Sequence, residues 1–216
     1  MRLLRLMLAS AALMFSATGA FAAGQKEGVD FKTLDTPVRT EAAAKKVEVI
    51  EFFMYTCPHC FALEPHIAAW VKKNADKVTF RRIHFARNEK DALARAYVTL
   101  ETMGLTETVN IKIFNAIHVD RKNLMREEAV TDVIVKAGVD KAKYLEVYNS
   151  FGVQAKMKRM NQVAGAYKVD TAPTIVVDGR FVTSPSMAGR PGQPEEQSHL
   201  AALAVTDYLV AKAAKK

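Results

Sequence analysis

The stretch Val47-Glu48-Val49-Ile50-Glu51-Phe52-Phe53-Met54-Tyr55-Thr56-Cys57-Pro58-His59-Cys60 decides how this chain folds. Val47 to Met54 is apolar on both faces apart from its glutamates, the pattern of a central strand covered on both sides. Phe61 to Val71 then carries a helical pattern. A Cys-x-x-Cys pair between a strand and a helix reads as a dithiol/disulfide redox centre. Pro58 suits the first helical position, where its missing N–H would have no partner anyway. That places Cys57 at the N-cap, its sulfur facing unpaired backbone N–H groups and the positive end of the helix dipole. Both favour thiolate over thiol. By position, Cys57 is the nucleophile and the more exposed cysteine, and Cys60, one turn in, is the buried resolving thiol. His59 sits between them on the first turn, where an imidazolium or an N–H bond would stabilise the thiolate further.

These are the only two cysteines among 216 residues. A bond between them closes a tiny loop and stabilises the fold little, so the pair serves something other than stapling. Zinc is the competing use, but it takes four protein ligands, or three and a water. There is no second Cys-x-x-Cys, and His59 or His66 would have to complete the set. No metal and no cofactor is therefore expected. His66, His84, His118 and His199 show no ligand spacing and read as structural or solvent-exposed.

The chain opens Met1-Arg2-Leu3-Leu4-Arg5, continues with an apolar stretch from Leu6 to Phe15, and reaches Ala20-Phe21-Ala22. A basic start, a short apolar core and an A-x-A site describe a cleavable secretory signal peptide over residues 1–22, cut after about Ala22. No later stretch approaches the roughly 18 apolar residues of a spanning helix, so the mature chain reads as soluble. The formal charge is +8, or +6 once Arg2 and Arg5 are removed. The cations are dispersed, with no long basic run and no aromatic ladder. Solubility and weak electrostatic attraction account for them, and no nucleic-acid partner is expected.

Around the central strand the pattern reads as follows. A weak apolar patch near Phe31 suggests an edge strand, and Val78 to Phe85 a second strand. Leu93, Ala96, Tyr97 and Leu100 fall at helical spacing and end at Gly104. Val109, Ile113 and Ile117 continue that pattern, as do Val130, Val133, Ile134 and Ala137 before Gly138. Helices are expected at Lys141–Asn149 and Val153–Tyr167. Strand pattern returns at Thr174–Val177, and Asp178-Gly179 signals a hairpin to Arg180-Phe181-Val182. A Pro/Gly-rich loop, Ser184 to Pro194, leads to a last helix whose face carries Leu200, Leu203, Ala204, Asp207 and Tyr208. Trp70 reads as packing at the end of the first helix.

This order is β-α-β, a helical insert, then β-β-α. It resembles an α/β thioredoxin fold with an inserted all-helical domain, the thioredoxin-like part spanning residues 23–87 and 169–216 and the insert 88–168. Cys57 to Cys60 after Glu51-Phe52-Phe53, with Glu64, Pro65, Pro173 and Asp178-Gly179, is similar to the DsbA family of periplasmic thiol:disulfide oxidoreductases. The resemblance covers nearly the whole mature chain. It implies an oxidase that donates the Cys57–Cys60 disulfide to newly exported cysteine-containing proteins through a mixed disulfide at Cys57. It also implies a quinone-linked membrane reoxidase of the DsbB type, a periplasmic location and a monomer. Pro173 matches the cis-proline facing the dithiol, which exposes the backbone of Ala172 to an extended substrate. Valine or threonine commonly precedes that proline in related enzymes, and here it is alanine. Glu51 matches the family's buried acid near the resolving cysteine, a proton acceptor or electrostatic tuner. Glu64, one turn after Cys60, is a candidate for the same role, with a solvated helix carboxylate as its alternative. Where the family often has a lysine in the next strand, this chain has Thr79-Phe80-Arg81-Arg82, which points to a rewired charge network. The rival enzyme reading is a disulfide isomerase or reductase. Isomerases of this fold carry an N-terminal dimerisation domain, and only about 24 residues lie between Ala22 and Val47, too few for one. A peptide-binding chaperone or a zinc-binding module is the reading from a different class.

Overall fold

The computed structural model describes residues 25–86, 88 and 90–215. The expected signal peptide lies outside the described residues. Five strands form one sheet: β1 (Lys32–Thr33), β2 (Val47–Phe53), β3 (Val78–His84), β4 (Thr174–Val177) and β5 (Phe181–Thr183). Their order is β1-β5-β4-β2-β3. The β2–β3 pair is parallel, and β2–β4, β4–β5 and β1–β5 are antiparallel. A parallel pair needs a long crossover, and helix α1 (Pro58–Lys73) supplies it. Between β3 and β4 run α2 (Ala92–Met103), α3 (Thr106–His118), α4 (Glu127–Lys136), α5 (Lys141–Tyr148) and α6 (Phe151–Ala166). After β5 come α7 (Pro185–Ala188) and α8 (Glu195–Ala213). This is the thioredoxin fold with its helical insertion.

Every residue of β2 is buried, because the sheet is covered on both faces. On one face Val47 and Val49 pack with Leu63, Ile67 and Trp70 of α1 and with Leu209 and Val210 of α8. On the other, Ile50 and Phe52 join the core of the helical insert, including Leu100, Phe114, Ile134 and Tyr144. The insert's helices are delimited by local chemistry. The Asp91 side chain accepts from the N–H groups of Leu93 and Ala94, Asp140 from Lys143, and Ser150 from Val153, each satisfying a donor at a helix start. Gly104 ends α2 at φ 70°.

Asp178 and Gly179 both have positive φ, as a two-residue hairpin with the right-handed strand twist requires. At Gly179 a Cβ would lie 2.0 Å from the Val38 carbonyl oxygen, so only glycine fits.

Two expectations need correction. The stretch Ser184 to Pro194 is not all loop: α7 forms within it, capped by the Ser184 hydroxyl, which accepts from the Met187 N–H. The buried side of α8 is also different. Leu200 is 48% exposed and Tyr208 is exposed, while His199, Ala202, Leu203, Thr206, Leu209, Val210 and Ala213 are buried. Asp207 earns its place on that helix by accepting from the Trp70 indole N–H at 2.7 Å.

Candidate active site

Cys57 caps α1 with extended backbone (φ −82°, ψ 115°), and Pro58 occupies the first turn. The cap places the Cys57 sulfur 3.1 Å from the Cys60 backbone N–H, which donates to it. On its other side Cys57 Sγ lies 3.4 Å from the Ala172 carbonyl oxygen, in the turn before β4. The Ala172–Pro173 bond is cis. Both cysteines are in the thiol state. Cys57 is 6% exposed and Cys60 is 0% exposed, so both are buried and Cys57 is the less deeply covered of the two.

The two sulfurs differ in acidity for identifiable reasons. A hydrogen bond from the Cys60 side chain, then the Cys60 N–H, the His59 charge and the His59 N–H lower Cys57 to about 7, against the opposing effect of burial. The same side-chain bond, burial and the charges of Cys57 and Glu51 push Cys60 far above the usual thiol range. One sulfur is thus prepared to ionise and the other to keep its proton.

His59 is not bonded to the sulfur through its ring. Its Nδ1 lies 2.5 Å from Glu195 Oε1 at the start of α8, and its ring is largely exposed. The hydrogen bond with Glu195 pushes His59 above its ordinary value, with burial opposing. Its influence on Cys57 is therefore exerted through charge and backbone N–H, and not through a ring hydrogen bond.

Beneath the dithiol lies a buried three-residue charge group. The parallel register sets Glu51 beside Arg82, and Arg82 Nε donates to Glu51 Oε2 at 2.7 Å. The other arm of the guanidinium donates to Glu64 Oε2 at 2.9 Å. Glu64 is buried, so the solvated alternative for it is overturned. One guanidinium cannot neutralise two carboxylates. Burial, with the Glu51 charge adding to it, raises Glu64 to about 7 in spite of Arg82. Arg82 is the arginine that stands where the charge network was expected to be rewired.

The strand-to-helix loop is fixed by residues of β3 and α3 that no sequence motif groups. His84 Nε2 accepts from the Tyr55 N–H at 3.1 Å, the Tyr55 hydroxyl bonds Asn110 Oδ1, and His118 Nε2 lies 2.8 Å from the Tyr55 carbonyl oxygen. Phe61 stacks on His118 with ring centroids 4.9 Å apart. The Asn110 and His118 bonds hold α3 against Tyr55, two residues before Cys57, the His84 bond holds β3 against the same residue, and these contacts give His84 and His118 structural roles.

Among the described residues no group of three or more His, Cys, Asp or Glu stands close enough to hold a metal ion. Concavities of about 250, 490 and 300 Å³ occur on the insert and its border with β3, and none is lined by Cys57 or Cys60.

Comparison with known proteins agrees with this geometry. A family profile described as a DSBA-like thioredoxin domain matches residues 48–189. The thiol:disulfide interchange protein DsbA of Burkholderia cepacia is 38% identical over 186 residues, covering 86% of this chain and 88% of that protein. The protein of the same name from Pseudomonas aeruginosa strain PAO1 is 37% identical over 218 residues, covering 99% of this chain and 98% of its own length. Among solved structures, Pseudomonas aeruginosa DsbA superposes with a TM-score of 0.79 at 35% identity, covering 88% of this chain and 97% of that one.

Proposed function

Since this chain belongs to the family of DsbA-like thioredoxin domains, we propose that its Cys57–Cys60 disulfide is the group it hands to its substrates. The chain is a thiol:disulfide oxidoreductase, a disulfide donor acting on cysteine-containing proteins. The observation that carries the assignment of roles is the inequality of the two sulfurs: Cys57, the less deeply covered of two buried cysteines, is lowered to about 7, while Cys60 is fully buried and pushed far up.

A substrate thiolate attacks Cys57 Sγ in line with the S–S bond. The Cys57–substrate bond forms, the Cys57–Cys60 bond breaks, and Cys60 leaves with the electron pair. The high proton affinity of Cys60 makes it take up a proton at once. Cys60 and Glu64 are four residues apart and share a face of α1. With its proton half-dissociated near neutral pH, Glu64, in the buried group with Arg82 and Glu51, is the proton source we assign. A second substrate thiolate then attacks the substrate sulfur of the mixed disulfide. Cys57 leaves as a thiolate, stabilised by the Cys60 N–H and the His59 charge. Two substrate thiols have become one disulfide, and the enzyme disulfide has become a dithiol. Pro58 pre-sets the first turn that aims those N–H groups. An extended substrate segment pairs with the backbone at Ala172, held beside the sulfur by Pro173.

The enzyme leaves this cycle reduced. We assign its reoxidation to a quinone-linked membrane partner of the DsbB type, its location to the periplasm after loss of residues 1–22, and its working state to a monomer. No helix of the described residues is long and apolar enough to cross a membrane.

The test is trapping. Cys60→Ser is expected to accumulate substrate proteins on Cys57 as mixed disulfides in the exporting cell, and Cys57→Ser to trap almost none. Equal trapping by both would reverse the assignment of nucleophile and resolving thiol.

A further inference from the structure

Glu195 lies 136 residues from His59 in the chain, and nothing in the cysteine motif calls for it. Two acids, Glu195 and Glu196, open α8, as the positive end of a helix favours, and either would serve that end. Only Glu195 reaches the motif, with Oε1 at 2.5 Å from His59 Nδ1. Glu196 Oε1 lies 3.9 Å from His66 Nε2. The start of α8 is held firmly. Gln193 Nε2 donates to Ser198 Oγ at 2.9 Å, and Gly189 sits so close that a Cβ there would lie 2.5 Å from the same oxygen. Behind Glu195, the buried His199 brings its Nε2 to 3.5 Å from Oε1, and burial lowers His199 from its ordinary value. The carboxylate therefore stands between a buried imidazole of lowered basicity and the exposed ring of His59.

We propose that Glu195 is a positioning residue for the dithiol: it holds the His59 ring in its charged form beside Cys57, and so sets how strongly the reduced pair is favoured. The inference rests on the reading of Cys57–Cys60 as a disulfide donor and adds a regulator of its strength. The groups that face His59 are Glu195 and Cys57, with His66, His199 and Glu196 beyond them. Glu195 raises His59, and the His59 charge is one of the forces that lower Cys57.

The sign makes the proposal testable. A carboxylate acting directly on Cys57 would disfavour the thiolate, because like charges repel. A carboxylate acting through His59 favours it. Neutralising Glu195 therefore weakens the oxidant if the route is through His59, and strengthens it if the route is direct.

The experiment measures the equilibrium of the full mature chain with glutathione at pH 7, together with the His59 titration midpoint by NMR. Wild type, Glu195→Gln, Glu195→Asp, Glu196→Gln, His59→Ala and the double variant His59→Ala/Glu195→Gln are compared. Glu195→Gln is expected to move the His59 midpoint down and to shift the equilibrium toward protein disulfide by up to about fivefold, the range an exposed ion pair gives. The shift should fade at about 1 M salt, where the screening length is roughly 3 Å. Glu195→Asp, which keeps the charge, should retain part of the effect. Glu196→Gln removes the same charge from the same helix end and should move neither quantity. In the His59→Ala background, Glu195→Gln should no longer weaken the oxidant. A stronger oxidant in Glu195→Gln, an equal effect from Glu196→Gln, or an undiminished effect without His59 would overturn the proposal. Should Glu195→Gln fail to fold, the wild-type midpoint decides: a His59 value at or below the ordinary level of about 6.5 is also fatal. A null result in a strongly oxidising wild type removes only the role of Glu195, whereas a wild type that is itself a weak oxidant removes the donor reading.

Discussion

Replacing Glu64 with glutamine should stabilise this protein, increasingly so as pH rises above about 4.5. Glu64 is buried, shares Arg82 with Glu51 and is raised from 4.5 to about 7. A carboxyl whose folded value is raised contributes stability that is fully present below its unfolded value, near 4.5, and is lost as pH rises through about 7. At about 1.4 kcal/mol per unit, that loss is on the order of 3 kcal/mol above pH 8. Glutamine does not titrate, and its carbonyl oxygen can still accept from the Arg82 guanidinium. The stability difference between Glu64→Gln and wild type should thus be near zero at pH 4 and grow to about 3 kcal/mol by pH 8. Urea unfolding of both reduced proteins across that range measures it, with equal slopes confirming that only stability has changed. Cys57 titrates in the same window in both proteins and cancels. A difference that is flat with pH, or a variant less stable than wild type at pH 8, would refute the reasoning. The second outcome would mean that the ion pair with Arg82 stabilises the Glu64 charge by more than burial costs it.

Thiolate absorbance of the reduced protein should titrate with a midpoint near 7. The stability this lends the reduced over the oxidised fold should be complete above about 8.5 and vanish as pH falls through 7; a midpoint near 8.5 would remove the N-cap argument. Arg82→Met leaves two carboxylates buried without their cation and should cost about 3–5 kcal/mol at pH 8. The cost, read by urea unfolding, should shrink toward pH 4 as protons replace the missing charge. A cost independent of pH would assign Arg82 to packing. Ala172→Thr enlarges the side chain beside the carbonyl that faces Cys57. Substrate turnover should change while the unfolding midpoint moves little, and unchanged turnover would move the peptide groove elsewhere.

What the sequence revealed was local. Cys57 at an N-cap follows from Pro58 alone, and the Asp178-Gly179 hairpin from two adjacent residues. The central strand shows in its composition because both its faces are buried. What it concealed depends on register and on distance. Two arginines, Arg81 and Arg82, stand side by side in β3, and a shift of one residue sends a side chain to the other face of the sheet. Only the pairing of β2 with β3 shows that Arg82 lies under the dithiol with Glu51, while Arg81 turns toward Glu41 and Glu48. Glu195 is invisible for a similar reason: an acid at a helix start looks like ordinary capping, and its partner is in another element. On α8 the apolar residues Leu200 and Tyr208 misled, because His199 and Thr206 take part in the buried face instead. The short helix α7 was hidden by the Pro/Gly content of its surroundings.

The reduction potential of the Cys57–Cys60 pair, measured at equilibrium with glutathione at pH 7, tests the donor function most directly. A Cys57 thiolate stabilised by the helix start, the Cys60 N–H and His59 favours the dithiol, so the disulfide should be a stronger oxidant than glutathione's own range, with a potential above roughly −200 mV. A value near thioredoxin's, about −270 mV, would contradict it.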